Sequence, residues 1–301
     1  MRIAVVTGAA SFVGSNIIRC LLRDYEDLKI YGIARPNSKS NTVVKEFGDS
    51  INVLEIDMDN ISALKQILPH VDAFYLNAWR GTRGDDRKDF PLQESNYIDT
   101  MKAVNAAIEL GAKTIIGVGS QAEYGVTTDE VTEEHEARPN TAYGLYKLRV
   151  CAEAADVCNK KGVSFKWGRI FSAYGVGDYS KTLVMSCIDK MVKGEDININ
   201  YGYQKWNYIN ILDVATMFSK MLSETIPPGI YNIASNDTRF LKDYVLEMKD
   251  VIGSKSSIHF GESADGAINL LPINAKILKH LQGFRFVSFG DGIKKILESR
   301  P

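Results

Sequence analysis

Short apolar runs alternate with longer amphipathic stretches through the first 170 residues of the chain. The runs predict strands, and the stretches, in which apolar residues recur roughly every three or four positions, predict helices. The predicted strands cover residues 2–7, 29–34, 51–56, 71–76, 113–118 and 163–169, and the predicted helices cover residues 15–23, 61–68, 99–110 and 143–161. This alternation favours an α/β fold, in which helices cover both faces of a parallel sheet.

The alternation loosens after residue 170. Helices are predicted for residues 182–193, 213–223, 240–252 and 290–299, and short strands for residues 196–200, 229–234 and 257–260. A chain of 301 residues, 45% of them hydrophobic, can bury one large domain or one domain with a smaller lobe.

The overall charge narrows the choice of partners. Net charge is −1 with nearly equal numbers of acidic and basic residues, so no global field points to nucleic acid or to an anionic membrane. No apolar run approaches the ~20 residues that span a bilayer, and the chain opens on a strand rather than on a signal peptide. The four cysteines and four histidines show no metal-ligand spacing. We therefore expect a cytoplasmic protein with reduced thiols and no metal.

A tyrosine and a lysine four residues apart carry the first candidate chemistry. Tyr143 and Lys147 fall in a predicted helix, so their side chains share one helical face. A neighbouring ammonium favours the phenolate and lowers the pKa of a tyrosine, which suits the tyrosine to proton transfer. The alternative is an ordinary surface pair, which so short a motif does not exclude.

A glycine turn follows the first strand. The strand runs into Gly8, and a helix starts close to Gly14. Free N–H groups and the dipole of a helix N-terminus attract a pyrophosphate. In an open parallel sheet the ligand lies beyond the carboxyl ends of the strands, so the residues at those ends predict one cofactor trough. They are Gly8, Arg35, Asp57, Asn77, Ser120 and the stretch near Phe171.

The T-G-x-x-x-x-x-G turn, the serine that ends an apolar strand and the Y-x-x-x-K pair together resemble the extended short-chain dehydrogenase/reductase family. They resemble in particular its NAD(P)-dependent nucleotide-sugar epimerase, dehydratase and reductase branch. The resemblance covers nearly the whole chain and implies a Rossmann-type doubly wound parallel sheet in residues 1–170. It also implies a smaller C-terminal α+β lobe in residues 171–301 that binds the substrate, with segments around residues 204–225 crossing back to the first domain.

The resemblance also assigns roles to matching positions. Tyr143 supplies the proton, Lys147 lowers its pKa and holds the nicotinamide ribose, and Ser120 donates a second hydrogen bond to the reacting oxygen. Asp57 and Met58 match positions that border the adenine. The cofactor-binding set is Gly8, Ser11, Phe12, Val13, Gly14, Arg35, Asp57, Met58, Asn77, Ala78, Tyr143, Lys147 and Phe171.

Two positions in the cofactor half depart from the common pattern. Ser11 stands at the middle glycine of the turn, where a Cβ takes space from the pyrophosphate, although its hydroxyl can donate a hydrogen bond. Arg35 ends the second strand, where an acidic residue would bind the ribose hydroxyls and repel a 2′-phosphate. With Asn37, Ser38 and Lys39 following, this arginine favours NADP, as NADPH, over NAD, unless it is simply an exposed loop residue.

The segment after Ser120 narrows the reaction. In the 4,6-dehydratases of the family the matching stretch reads T-D-E, and its two carboxyl groups eliminate water. Gln121 and Ala122 stand at those positions here and can act neither as acid nor as base, so dehydration is disfavoured. Glu123 is expected to point to the opposite face of an extended segment.

The substrate half also departs from the pattern. Ser172 replaces a substrate-touching asparagine, and Trp206 stands where an arginine usually grips the diphosphate, which passes that role to Lys205, Arg80 or Arg83. The predicted substrate-binding set is Trp79, Arg80, Gln121, Ser172, Lys205 and Trp206. Three short segments around these residues look like the CDP-abequose and CDP-paratose synthase type, which are reductases of 4-keto-deoxyhexose nucleotides.

The resemblance therefore implies an NADPH-dependent reductase of a nucleotide-activated 4-keto-6-deoxy sugar in surface-polysaccharide synthesis. A nucleotide-sugar 4-epimerase with tightly bound NAD is the alternative, and a non-catalytic NADP-binding regulator is a second one. The family also implies a homodimer formed by the helices at residues 99–110 and 143–161, both of which are apolar on more than one face.

Overall fold

Seven parallel strands form the central sheet of the protein, which is described by a computed structural model over residues 2–38, 41–264 and 266–300. The strand order is β10-β6-β5-β4-β1-β2-β3. These strands are β1 (Arg2–Thr7), β2 (Leu28–Ala34), β3 (Asn52–Glu55), β4 (Ala73–Leu76), β5 (Thr114–Ser120), β6 (Ser164–Ile170) and β10 (Gly229–Ile233). The chain changes direction across the sheet between β1 and β4, so a crevice opens there at the carboxyl ends of the strands. The predicted Rossmann-type doubly wound sheet is confirmed.

Helices cover both faces of this sheet because its strands are apolar on both sides. In β1, Ala4 and Val6 pack toward α1 (Phe12–Asp24) and α7 (Ile211–Lys220), whereas Ile3 and Val5 pack toward the opposite layer. That layer consists of α4 (Phe90–Glu109) and α5 (Ala142–Lys160), with the single-turn helix α3 (Leu64–Ile67) beside it. A further short helix, α2 (Thr42–Lys45), lies between β2 and β3.

The chain after residue 170 contributes to both parts of the molecule. Helix α7 packs on α1, and β10 pairs with β6 at the edge of the large sheet. The remaining elements surround an aromatic core that includes Tyr208, Tyr244 and Phe289. They are β7 (Ser172–Tyr174), α6 (Leu183–Lys193), β8 (Ile197–Ile199), β9 (Lys205–Asn210), β11 (Thr238–Phe240), α8 (Leu241–Ile252), β12 (Ile258–Phe260) and α10 (Phe289–Glu298). The short helix α9 (Ala275–Leu278) instead packs beside β10, and its Ile277 belongs to the same core as α1 and α7. Strands β11, β9 and β7 form a small sheet, and β12 pairs with β8.

Helix α4 is longer than the sequence pattern predicts. It begins at Phe90 instead of Asp99, because Asp89 caps it by accepting a hydrogen bond from the Leu92 N–H at 3.0 Å and Pro91 suits its first turn. Its first half carries buried polar residues such as Gln93, which conceal the apolar periodicity. Strands β7, β9 and β11 are also absent from the prediction, since their pairing partners are distant in sequence. Among the described residues, no helix combines the length and apolar character needed to cross a membrane.

Candidate active site

A cavity of about 1300 Å³ lies at the carboxyl ends of the central strands, between the sheet and the β7–α6 region. It brings together nearly all of the predicted site residues. Those lining it are Gly8, Ser11, Phe12, Val13, Arg35, Asp57, Met58, Asn77, Ala78, Trp79, Arg80, Ser120, Gln121, Tyr143, Lys147, Phe171, Ser172 and Trp206. Gly14 and Lys205 are not part of the lining.

The turn after β1 is closed around Ser11. Ser11 caps α1, since its Oγ accepts a hydrogen bond from the Gly14 N–H at 3.0 Å, and the Asn77 side-chain amide donates to the same Oγ at 2.9 Å. Ser11 has φ −79°, which any residue adopts without strain. Gly14 is needed for packing, since a Cβ there would lie 2.3 Å from the Gly8 carbonyl oxygen. The serine thus fits the middle position of the turn by closing it through hydrogen bonds.

The first turn of α1 fits a pyrophosphate. Phe12 and Val13 open this helix and line the cavity. The first N–H groups of a helix have no intrahelical acceptor and lie at the positive end of its dipole. The residues present therefore suit the phosphates of a dinucleotide.

Arg35 and Asp57 stand at the outer end of the cavity. Arg35 is exposed, lines the cavity and forms no ion pair with any carboxylate among the described residues. Its backbone carbonyl accepts a hydrogen bond from the Asn41 amide at 3.0 Å, which fixes the turn that carries it. Asp57 is likewise exposed in the lining. Lys39, which follows Arg35 in the sequence, lies outside the described residues.

The glycines of β5 make room for a tryptophan. A Cβ on Gly117 would lie 2.1 Å from the Trp167 ring, and a Cβ on Gly119 would lie 2.2 Å from Trp167 Nε1. The indole therefore crosses β5 and donates from Nε1 to Glu123 Oε1 at 3.0 Å. This contact fixes the strand immediately before Ser120.

Glu123 is a buried anchor of the site. Its carboxylate accepts hydrogen bonds from the Ser120 N–H at 2.8 Å and from Arg169 Nε at 2.7 Å, and its side chain has no exposure to solvent. The expected extended segment is wrong, because residues Gln121–Glu123 form a 3-10 turn with Ser120 as its N-cap. The turn directs Glu123 into the protein, whereas Gln121 stays on the cavity wall. No carboxylate of this segment therefore lines the cavity.

Tyr143 lies in the first turn of α5, with only 8% of its surface exposed. Burial raises the pKa of Tyr143, while a hydrogen bond with Ser120 and the charge of Arg87 oppose that rise. The Tyr143 ring also meets the Trp79 indole edge-on, with the ring centroids 6.2 Å apart. The net pKa of Tyr143 is raised because desolvation of the phenol outweighs the nearby charges, and Lys147 is not among the groups that shift it most.

Lys147 is engaged elsewhere. Its Nζ donates to the Val118 carbonyl at 2.7 Å and lies 4.1 Å from the centroid of the Trp79 ring. Burial lowers the pKa of Lys147 to about 7, although the negative charge of Glu123 opposes this. Burial therefore weakens the preference of Lys147 for its charged form.

The loop between β4 and α4 supplies most of the positive charge in the cavity wall. Arg80 forms an ion pair with Asp99 at 3.3 Å, and Arg83 forms one with Asp178 at 3.1 Å across the cavity. The side chains of both arginines are about half exposed, at 53% and 50%. An anionic ligand in the cavity can therefore reach either guanidinium.

Arg87 is a site residue that the sequence did not reveal. Its guanidinium carbon lies 4.8 Å from the centroid of the Tyr143 ring, and the residue lines the cavity. In sequence it belongs to a strongly charged run that resembles any solvated loop. Only its distance from Tyr143 distinguishes it.

The two neighbours in β9 face different surroundings. Trp206 lines the cavity beside Ser172, and its indole N–H has no hydrogen-bond partner among the described residues. Lys205 does not meet the expectation that it faces the substrate, since alternate residues of a strand point to opposite faces. Its Nζ lies instead 4.0 Å from the centroid of the Phe240 ring.

Comparison with known proteins agrees with this fold. The chain is 25% identical to CDP-abequose synthase from Salmonella muenchen over 301 residues, which is 98% of this chain and 97% of that protein. The structure is similar to dTDP-glucose 4,6-dehydratase from Bacillus anthracis in complex with NAD, with TM-score 0.85, 19% identity and coverage of 99% and 96%. It is also similar to UDP-glucuronic acid 4-epimerase from Bacillus cereus in complex with UDP-glucuronic acid and NAD, with TM-score 0.82, 21% identity and coverage of 99% and 98%. Both structural likenesses are evidence of a shared fold.

A family model decides the classification. Residues 4–234 match the model of the NAD dependent epimerase/dehydratase family. That span contains the glycine turn, Ser120, Tyr143 and Lys147. The chain therefore belongs to the NAD dependent epimerase/dehydratase family.

Proposed function

We propose that the protein is an NADPH-dependent reductase of a nucleotide-activated 4-keto-6-deoxy sugar. The observation that carries the proposal is the composition of the cavity wall around Tyr143. Ser120 and Tyr143 face the cavity together, whereas Gln121 stands where a dehydratase needs a carboxyl group and Ala122 is buried. This wall can donate protons and hydrogen bonds but offers no acid–base pair for eliminating water.

The chemistry requires little beyond these residues. Bound NADPH would supply the hydride that adds to the carbonyl carbon. Tyr143 gives its phenolic proton to the carbonyl oxygen, which becomes the new hydroxyl, and the tyrosine is left as a phenolate. Ser120 donates a hydrogen bond to the same oxygen as negative charge develops on it. Lys147 would hold the ribose hydroxyls of the cofactor.

The substrate's diphosphate needs positive charge, and Trp206 offers none. We propose that Arg83 binds the diphosphate, because its guanidinium is half exposed in the cavity wall. Asp178, the ion-pair partner of Arg83, lies across the cavity, and its side chain is only 2% exposed. Arg80 lies nearby but is bound to Ser95, Asn96 and Asp99. A phosphate bound by Arg83 would therefore join the loop after β4 to the segment after β7.

The assay that tests the proposal follows NADPH consumption. CDP-, dTDP-, UDP- and GDP-linked 4-keto-6-deoxy sugars are each incubated with the protein and NADPH, with Tyr143→Phe as the inactive control. We expect the absorbance of NADPH to fall with at least one nucleotide, and the CDP-linked sugars are the first candidates because of the similarity to CDP-abequose synthase. No consumption with any of them would contradict the reductase.

A 4-epimerase is the second candidate. Several similar solved structures are 4-epimerases, among them the UDP-glucuronic acid 4-epimerase in complex with NAD. An epimerase must retain its cofactor through two half-reactions, whereas a reductase releases NADP after each turnover. Copurified NAD that resists dialysis, together with interconversion of C4 epimers without added cofactor, would favour the epimerase. A non-catalytic NADP-binding regulator is disfavoured because Ser120, Tyr143 and Lys147 all line the cavity.

The choice of NADP rests on Arg35. In Arg35→Asp the charge facing the 2′-phosphate reverses and a carboxylate becomes available to the ribose hydroxyls. A charge-assisted hydrogen bond contributes ~1.5–3 kcal/mol, so NADPH affinity should fall by about tenfold to a hundredfold while NADH affinity holds or improves. Calorimetric titration of both cofactors measures this.

Arg2→Asp makes the same charge change at an exposed position outside the cavity and should leave both affinities unchanged. Equal NADPH binding by wild type and Arg35→Asp would remove the arginine from the cofactor site.

We also propose a homodimer formed by α4 and α5. These helices expose large apolar side chains, namely Phe90, Ile98 and Leu145, which are 55%, 46% and 42% exposed. A second copy of the same pair would cover them in an isologous interface. Light scattering should give twice the chain mass at micromolar concentration, and the double variant Ile98→Glu with Leu145→Glu should shift the protein toward monomer. A monomeric wild type would contradict the proposal.

The biosynthetic role proposed is surface-polysaccharide synthesis in the cytoplasm. The four cysteines are free and buried, which suits a reducing compartment.

A further inference from the structure

The cation expected to act on Tyr143 makes its contacts with other groups. Lys147 directs its ammonium to the Val118 carbonyl and to the face of the Trp79 ring. These contacts bury Lys147 to 3% exposure. Neither of these contacts is with the Tyr143 hydroxyl.

Arg87 supplies a cation from a different element. Its guanidinium carbon lies over the Tyr143 ring at 4.8 Å from the centroid, within the range of a cation–π contact. No carboxylate among the described residues forms an ion pair with Arg87, unlike Arg80 and Arg83. An arginine remains charged at every accessible pH. Its charge is therefore available to the ring.

The turn that carries Arg87 is held in place. Gln93 is fully buried, and its amide donates to the Asp86 carbonyl at 2.9 Å and to the Gly81 carbonyl at 2.8 Å. The Gln93 side-chain oxygen accepts a hydrogen bond from Trp79 Nε1 at 2.7 Å. One buried side chain thus fixes both the Arg87 turn and the indole that covers Lys147.

The other charged groups that act on Tyr143 are weaker or opposed. Arg83 acts from the same loop, but Asp178 neutralises much of its charge. Glu123 lies behind Ser120 and disfavours the phenolate. Arg87 contacts the Tyr143 ring directly, and its charge favours ionisation of Tyr143.

We propose that Arg87 is a positioning residue for Tyr143, which holds the ring from the loop side and stabilises the phenolate that forms when the proton is transferred. The inference rests on the proposed function, because only proton transfer by Tyr143 makes that phenolate necessary. Arg87 acts on the reaction through Tyr143.

A test without substrate measures the phenolate directly. Tetranitromethane nitrates tyrosine through its phenolate, so the rate of nitration at Tyr143, followed by peptide mass spectrometry at fixed pH, reports the ionised fraction. Removing an opposite charge at this distance should raise the tyrosine pKa by roughly one unit, so Arg87→Met should nitrate about tenfold more slowly. Arg87→Lys should restore most of the rate. Lys88→Met removes a charge from the same turn at an exposed position and should match wild type.

Steady-state kinetics provide a second test of the role of Arg87. With a sugar nucleotide that the wild type reduces, Arg87→Met should lower kcat by about tenfold while KM and NADPH affinity stay constant, and Arg87→Lys should recover kcat. A structural role alone would change KM and thermal stability together with kcat. Equal nitration rates in wild type and Arg87→Met, or equal slowing in Lys88→Met, would overturn the proposal. Failure of every sugar nucleotide would count against the reductase, while the nitration result would still decide the role of Arg87.

Discussion

Tyr143→Phe should lower turnover by about a hundredfold or more, with nearly unchanged cofactor affinity. The substitution keeps the ring, its edge contact with Trp79 and its place under Arg87, and removes only the hydroxyl. The carbonyl oxygen then loses its phenolic proton donor, and Ser120, the other hydroxyl at the site, is a much weaker acid. Single-turnover rates and NADPH titration separate the loss of chemistry from any loss of binding.

A second tyrosine on the same helix provides the control. Tyr146 is also largely buried and lies against Tyr97 and Phe90. Tyr146→Phe removes a hydroxyl of the same kind from a position outside the cavity lining and should retain turnover close to wild type. Turnover in Tyr143→Phe that matches Tyr146→Phe would exclude Tyr143 from the reaction.

Glu123→Ala should reduce the free energy of unfolding by ~3–5 kcal/mol, because it leaves the buried Arg169 charge without its partner. The carboxylate and the guanidinium are 0% and 3% exposed, so water cannot compensate for the loss. The Ser120 N–H and Trp167 Nε1 lose the same acceptor. Urea denaturation followed by circular dichroism measures the effect.

Two variants isolate the buried charge from other effects of the substitution. Glu123→Gln keeps the shape and one acceptor, so it should destabilise the protein less than Glu123→Ala. Glu136→Ala breaks the exposed ion pair with Arg138, whose side chains are 71% and 76% exposed, and should change stability little. Equal denaturation midpoints for Glu123→Ala and wild type would show that Arg169 finds another partner.

The sequence predicts the frame of the site well because that frame follows local rules. A strand, a glycine turn and a helix predict a phosphate site wherever they occur in order, and Phe12 and Val13 line the cavity as expected. The spacing of Tyr143 and Lys147 places both on one face of α5, and both reach the cavity. The absence of carboxyl groups at Gln121 and Ala122 is a matter of residue identity alone.

The tertiary structure decides what surrounds each of these groups. The sequence does not show that Lys147 turns to Trp79, that Glu123 joins Ser120 to Arg169, or that Lys205 leaves the cavity for Phe240. These contacts join residues far apart in the chain, and periodicity predicts which face of an element is buried but not what covers it. Arg87 is the clearest case: its sequence neighbours are exposed charges, and only the turn held by Gln93 places it against Tyr143. The sequence by itself therefore determined which edge of the sheet holds the cavity and which residues line it. The charge state of Tyr143, in contrast, depends on burial and on distant charges that exist only in the folded chain.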